Sequence, residues 1–258
     1  MKKRLSPSPL PLLAIAATLL LSACHSDSFR IEGQLQGGEN RSLWLEEIAP
    51  EGTLFIDSIA LDSKGRFSYR CTMPYRSLYS LHSSEEDFVV LLPDYGEKIT
   101  VGGTITPLAS SYTVTGSPES TLLWQLQQFS GDGGKALLAL IDTTDHYAAM
   151  LKAGLVDDAT VAAKKQETDS IYRTLFVEQQ EYVCRFIEDN RGSLATLIAL
   201  YKPFNNHPLL DPRTGTTMDY FDIVLEGLQE ALPDNPHTQH FKNTTEHLRS
   251  ALARQNEE

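Results

Sequence analysis

The sequence is poor in cysteine and lacks the short motifs of common enzyme classes. Its 258 residues include three cysteines, Cys24, Cys71 and Cys184, and no Cys-x-x-Cys pair. A thioredoxin-type redox centre needs such a pair, so that activity is excluded. A Gly-x-Ser-x-Gly turn, which carries the nucleophile of many hydrolases, is also missing. We therefore expect no catalytic residue, no cofactor and no metal, and a protein that is not an enzyme.

Positive charge is scarce as well. Lys and Arg number 22 against 34 Asp and Glu, which gives a net charge of −12. Binding to nucleic acid rewards clustered Lys and Arg, so nucleic acid is excluded as a partner. Long apolar runs are limited to residues 10–21. That run is shorter than the roughly 20 residues that a membrane-spanning helix needs.

What the sequence does contain begins with an N-terminal leader. Basic residues at positions 2–4 precede the apolar run, and residues 21–24 read Leu-Ser-Ala-Cys. A basic segment, an apolar segment and small residues before a cleavage point are the parts of a secretory signal. The last four residues resemble a bacterial lipobox, whose cysteine is lipidated and becomes the mature N-terminus. We predict a signal peptide over residues 1–23 and lipidation at Cys24. The alternative is an ordinary signal peptide with an incidental Cys24.

The predicted anchor implies a location. His25 follows the cysteine in place of Asp, so retention at the inner membrane is not signalled, and residues 25–28 lack a dense acidic run that would resemble a surface-export tag. A multiply acylated cysteine holds a protein firmly at a membrane. We expect a lipid-anchored protein of the cell envelope, at the outer membrane and facing the periplasm, with residues 24–28 as the tether. The net charge of the mature chain would be −15, because cleavage of the signal peptide removes three basic residues.

Residues 29–116 predict an antiparallel β domain. Phe29, Ile31, Gly33 and Leu35 alternate with polar residues, which is the period of a strand with one buried face. Further short runs of this kind follow, separated by turn sequences that contain glycine. Several short strands between turns are typical of a β-sandwich or a small barrel-like domain.

Residues 117–258 predict a helical domain. Ser117 and Pro118 are a helix start, with Glu119 in the first turn. The Gly-Asp-Gly-Gly sequence at residues 131–134 is expected to end this helix and to form a turn before a second one. Further helices are predicted over residues 157–192, 193–201, 217–232 and 237–252, with a loop at 203–215 and Gly192 as a C-cap. The predicted fold class is therefore α+β, with the β domain first.

Five stretches of the sequence carry a resemblance to a known family. They are residues 29–35, residues 56–69 with the pattern Asp-Ser-x6-Gly-x-Phe, and residues 112–117, 186–193 and 233–237. Together they resemble the N-terminal domain of unknown function, DUF4369, and the helical region that follows it in many Bacteroidota lipoproteins. There the two commonly precede a thioredoxin-like domain. The resemblance covers nearly the whole mature chain, but its motifs are structural.

The chain departs from this pattern where a thioredoxin-like domain with Trp-Cys-x-x-Cys would follow. The redox activity that the resemblance would imply has no residues here to carry it. The first hypothesis is a non-enzymatic envelope lipoprotein that binds a ligand or a protein as a scaffold. The second is an accessory partner of a separate thioredoxin-like thiol–disulfide protein. A third is a hydrolase whose site is assembled from unrelated loops.

Several smaller groups of polar and aromatic residues are weighed against ordinary structural roles. The histidines at positions 237, 240 and 247 could face one side of a helix, but a solvated surface is the preferred interpretation. Glu46 and Glu47 should point to opposite faces of a strand and form no acid–base pair. Cys71 and Cys184 are expected to be separate thiols, with a disulfide between them as the alternative. Aromatic residues of the β part, Trp44, Tyr69, Tyr75, Tyr79 and Tyr95, line either a groove or the core.

Overall fold

The computed structural model describes residues 27–213 and 217–255. The predicted leader and Cys24 lie outside these ranges, so the signal peptide and the lipidation stay predictions. Within the described ranges, strands fill the first part of the chain and helices dominate the second. The predicted α+β class, with the strands first, is confirmed.

Among the residues that the structure describes, eight strands form two four-stranded sheets. They are β1 Ser28–Gln36, β2 Ser42–Ala49, β3 Gly52–Ala60, β4 Arg66–Thr72, β5 Leu78–His82, β6 Phe88–Leu91, β7 Lys98–Thr104 and β8 Thr113–Thr115. The first sheet has the order β4-β1-β7-β8 and the second β3-β2-β5-β6. A four-residue helix, α1 (Leu108–Ser111), connects β7 to β8. The architecture is the predicted sandwich.

One pair of neighbouring strands is parallel. β1 runs parallel to β7, with Gly33 opposite Val101, while the other neighbours in the two sheets are antiparallel. A Cβ atom at Gly33 would lie 1.8 Å from the carbonyl oxygen of Val101. Glycine is therefore required for the close approach of these two backbones.

The inner faces of the two sheets bury a common apolar core. Phe29 and Ile31 of β1 face Leu43 of β2 and Tyr79 of β5, all of them nearly inaccessible to solvent. The rings of Phe29 and Tyr79 lie 4.8 Å apart between centroids. Each such side chain stabilises the fold by roughly 1.5–3 kcal/mol relative to exposure. The alternation that predicted β1 thus reports this core directly.

Within residues 117–213 and 217–255, the second part consists of five longer helices and one short hairpin. The helices are α2 Pro118–Lys152, α3 Asp158–Asp189, α4 Ala195–Leu200, α5 Thr217–Ala231 and α6 Pro236–Gln255. Ser117 caps α2 by accepting a hydrogen bond from the Ser120 N–H at 3.2 Å, as predicted. No helix in the described ranges has the length and apolar character of a membrane-spanning segment.

The predicted break at residues 131–134 is wrong, because α2 continues through them. α2 and α3 form an antiparallel pair, in which the rings of Phe129 and Tyr182 stack with centroids 3.7 Å apart. Gly133 faces Gln179 of α3, and a Cβ there would lie 2.3 Å from the Gln179 Nε2. The glycine lets the two helices approach closely, and this contact outweighs its unfavourable helix propensity.

Two details after α3 also differ from the prediction. Gly192 does not cap α3 in a left-handed conformation; Asn190 is the C-cap. The predicted loop at residues 203–215 contains a small hairpin of β9 (Pro203–Phe204) and β10 (His207–Pro208). Asn205 and Asn206 form its turn with φ angles of 50° and 62°. Two consecutive residues with positive φ are the signature of a type I′ turn, which asparagine tolerates.

The strands and helices share a second apolar core at their junction. Leu78 and Leu92 from the second sheet belong to the same buried cluster as the inner faces of α2 to α6. Both backbone polar groups of Leu92 form hydrogen bonds with serine side chains. Its N–H donates to Ser120 Oγ at 3.0 Å, and its carbonyl accepts from Ser117 Oγ at 3.2 Å. These contacts join the sandwich to the first turn of α2.

Candidate binding groove

Three hollows lie in a row along the junction between the second sheet and the helices. Their volumes are about 690, 590 and 230 Å³. Ala49, Pro50 and His240 form the wall between the first and second hollows, and Ile198 and Lys202 form the wall between the second and third. The row is named the junction groove below. Clefts of this size, at the boundary of two structural units, are where ligands are usually bound.

The β2–β3 turn and the start of α6 form the first hollow. Gly52 has a φ angle of 146°, which lets the chain reverse directly after Pro50 and Glu51. The start of α6 is held by Asn235, whose Oδ1 accepts from the His237 N–H at 2.9 Å and whose Nδ2 donates to the Arg76 carbonyl at 2.8 Å. One asparagine thus caps the helix and fixes it to the sandwich.

A buried polar pair lies under the groove. Ser77 is 0% exposed and His237 is 6% exposed, and the Ser77 Oγ lies 3.0 Å from the His237 Nε2. Burial lowers the pKa of His237 below its ordinary value of 6.5, although the charge of Glu47 acts in the opposite direction. The hydroxyl is inaccessible to substrate, so this serine–histidine pair is a structural hydrogen bond and not a nucleophile with its base.

Glu47 is the buried carboxylate near this pair. It is nearly inaccessible, and its Oε1 has no hydrogen-bond partner among the described residues. Tyr75 lines the first hollow. Burial is the main cause that raises its pKa, and the neighbouring Glu47 raises it further. Glu46 lies on the other face of β2, with its Oε2 3.3 Å from His82 Nε2. The prediction that the two glutamates face apart is confirmed.

The second hollow has apolar walls. Ile48 and Leu78 come from the sheet, whereas Leu197, Ile198 and Phe241 come from α4 and α6. These walls belong to the buried core or pack directly against it, so their positions are fixed by the same contacts that hold the two parts together. The hollow is therefore a preformed apolar surface.

Lys202 brings a cation to this apolar surface. Its Nζ donates to Gln127 Oε1 at 3.1 Å, and it forms no ion pair with the carboxylates of the described residues. Burial lowers the pKa of Lys202, because the charged ammonium is partly desolvated. Glu86 reaches the third hollow but remains exposed. A single half-buried positive charge thus lies at the wall between the second and third hollows.

One exposed apolar side chain extends the rim of the first hollow. Leu54 lies on β3, an edge strand, is 54% exposed and lines this hollow. Phe55, the next residue of the strand, is 65% exposed and points to the opposite face.

The predicted site residues fall in different places. The preferred interpretation of the three histidines as a solvated surface is wrong for His237, which is buried against Ser77, whereas His240 and His247 are exposed. His237 and His240 lie at the groove, and no cluster suited to a metal occurs in the described ranges. Cys71 and Cys184 are separate free thiols, as expected. Burial raises the pKa of Cys71 to about 11 and also raises that of Cys184, so neither is an activated thiol.

The sequence did not predict which aromatic residues line the groove, or that Lys202 does. Of the five aromatic residues of the β part, only Tyr75 lines the junction groove; Tyr79 is in the core, and Trp44 stacks on His82 at 5.0 Å. Lys202 was missed, because a lysine after a short apolar helix has no distinguishing pattern. Its role depends on Gln127, which is remote in sequence.

No family model, curated protein or solved structure matches this chain. The resemblance to the lipoprotein domain therefore stays a prediction.

Proposed function

We propose that this protein is a lipid-anchored, non-enzymatic binding protein of the cell envelope. In this account Cys24 carries the lipid, and the junction groove binds the ligand or the partner. The observation that supports binding is the row of three adjacent hollows between the sandwich and the helices. The location, at the outer membrane and facing the periplasm, follows from the lipobox-like sequence at residues 21–24.

The chemistry of the groove favours binding over catalysis. The walls of the second hollow are mainly apolar, and polar groups of the groove, among them His240, Lys202 and Tyr75, are in positions to orient a ligand. This is the usual composition of a binding pocket. The buried serine at position 77 cannot meet a substrate. The hydrolase hypothesis therefore has no support from this pair.

The anchor is tested by metabolic labelling with an alkyne analogue of palmitate in a bacterial host. The wild-type chain should carry the label and remain with the membrane pellet. Cys24→Ser should lose both, whereas Cys184→Ser, the matched control, should keep both. Label retained by Cys24→Ser would contradict the proposed attachment, as would a wild-type chain that stays unlabelled.

The groove is tested by photo-crosslinking in cells. A photoreactive benzoylphenylalanine at position 240 lies on the wall between the first and second hollows, whereas the same residue at position 247 lies about two turns further along α6. Adducts at 240 that are absent at 247 would support binding in the groove. A thioredoxin-like protein in those adducts would favour the accessory role. Identical patterns at both positions would contradict binding in the groove.

A further inference from the structure

The second hollow combines a cation with an apolar wall. Lys202 lines both the second and the third hollow, and among the described residues its ammonium group has one hydrogen-bond acceptor, Gln127 Oε1 at 3.1 Å. The apolar side chains of Ile48, Leu78 and Phe241 line the same hollow. A ligand that covers this surface can place a head group beside the lysine.

The charge of the lysine decides which head group fits. The chain carries a net charge of −12, yet Lys202 forms no ion pair among the described residues. Other cations near the junction are neutralised, as Arg76 is by Asp94. A half-buried ammonium without an anion has lost part of its hydration and gained little in return. An anion beside it would restore a charge-assisted hydrogen bond.

The volume and the lining of the second hollow indicate the chemical nature of the rest of the ligand. The second hollow has a volume of about 590 Å³, within the range of sites for small molecules. Tyr201 is 55% exposed at its edge and adds a large, partly apolar side chain. Burial of apolar area against such walls favours a hydrocarbon chain over a polar metabolite.

We propose that the second hollow binds a single-chain amphiphile, with its carboxylate paired with Lys202 and its hydrocarbon tail on the apolar wall. This inference rests on the proposed binding function, because it names the chemical class of the ligand. The charge gives selectivity among amphiphiles of equal length. An anionic head group should bind about 10- to 100-fold more tightly than a neutral one, the range expected for a hydrogen bond to a charged group.

The test uses the full chain, held in an amphipathic polymer, and a dodecanoate probe that carries a diazirine on its tail. After irradiation, peptide mapping should place the adducts on segments that line the second hollow, around residues 197–202 and 237–244. Unlabelled dodecanoate should compete at a concentration about 10- to 100-fold lower than dodecanol does. Dodecyltrimethylammonium should compete no better than dodecanol.

Variants of the lysine separate charge from packing. Lys202→Met keeps the apolar stem and should abolish the preference for dodecanoate over dodecanol, while Lys202→Arg, the matched control, should keep it. Lys202→Gln removes the charge and keeps a polar end opposite Gln127, so it replaces the methionine variant if that one does not fold. A neutral variant that folds and keeps the preference would overturn the proposal.

Other outcomes distinguish this inference from the proposed function. Equal competition by dodecanoate and dodecanol would overturn the role of Lys202. Labelling outside the second hollow would overturn the site. Adducts at position 240 in cells, without labelling by dodecanoate, would refute the amphiphile and keep the groove as a binding site. Failure of both experiments would refute the two proposals together.

Discussion

The burial of His237 makes stability depend on pH in a defined direction. Its hydrogen bond to Ser77 joins α6 to the sandwich over a Nε2–Oγ distance of 3.0 Å. Burial lowers the pKa of His237, the charge of Glu47 from β2 raises it, and His240 on the same helix lowers it again. Tyr75 is the neighbouring aromatic group, with ring centroids 6.3 Å apart. The net effect is a pKa below the ordinary 6.5.

The sign of the effect follows from proton linkage. Between the ordinary pKa and the lower folded one, the unfolded chain binds more protons than the folded chain. The stability that comes from a neutral His237 is therefore fully present above pH 6.5 and is lost as the pH falls through this window. The loss has a limit of about 1.4 kcal/mol per pH unit for one proton.

Urea unfolding of the purified protein, followed by circular dichroism, measures this loss. Between pH 7.5 and about 5.5, the wild-type protein should lose up to ~1.4 kcal/mol more unfolding free energy than His237→Gln, which keeps a polar partner for Ser77 but does not titrate. His247→Gln, on the exposed part of the same helix, should behave like the wild type. The reasoning would be refuted by a His237→Gln variant with the full pH dependence, or by a wild-type protein that becomes more stable on acidification.

Three further predictions concern packing, reactivity and loop structure. Gly227→Ala places a Cβ 2.1 Å from a backbone carbonyl oxygen of the turn before α4, so thermal unfolding should show a loss of ~1–3 kcal/mol in the free energy of unfolding. The control Gly134→Ala has open space around its Cβ and should raise that free energy by up to ~1 kcal/mol. Equal effects of the two substitutions would contradict the close contact at Gly227. The Cys71 thiol, with its pKa raised to about 11, should stay unmodified by a disulfide reagent at pH 8 until the protein unfolds, and rapid reaction of the native protein would contradict its burial. The Asp87 carboxylate accepts hydrogen bonds from two backbone N–H groups of α1 at 2.7 and 2.8 Å. Asp87→Ala should therefore lower the free energy of urea unfolding by ~1–2 kcal/mol, and the control Glu86→Ala, at an exposed position, by less than ~0.5 kcal/mol. Similar losses in both variants would contradict the capping role of Asp87.

Local patterns predicted those parts of the fold that depend on local chemistry. The alternation from Phe29 to Leu35 predicted β1, because one face of that strand is buried and the other is not. Ser117 and Pro118 predicted the start of α2, because the serine satisfies a free N–H of the first turn. In both cases the cause lies within a few residues of the effect.

Contacts between distant segments explain the parts that were not predicted. The glycines at residues 131–134 have a low helix propensity, yet the approach of Gln179 to Gly133 keeps α2 continuous. The hairpin turn at Asn205 and Asn206 is the exception, because its cause is local: two asparagines tolerate positive φ and are typical of a hairpin, but a loop was predicted there.

The junction groove had no local pattern at all. Its walls bring together Pro50, Lys202 and His240, which come from three separate segments of the chain. His237 resembled a surface histidine in the sequence, because its burial depends on Ser77 across the junction. Hypotheses about binding could therefore be formed from the sequence, whereas the location of the site required the packing of strands on helices.

The central claim is that the junction groove holds a ligand in the cell, and mass spectrometry of the protein purified from its own envelope tests it most directly. Ala49 forms part of the wall between the first and second hollows, so Ala49→Trp should fill the groove, while Ala60→Trp, on exposed β3, is the matched control. The account predicts a species that is released on unfolding from the wild type and from Ala60→Trp, and that is lost from Ala49→Trp. An identical species in all three proteins, or none in the wild type, would contradict it.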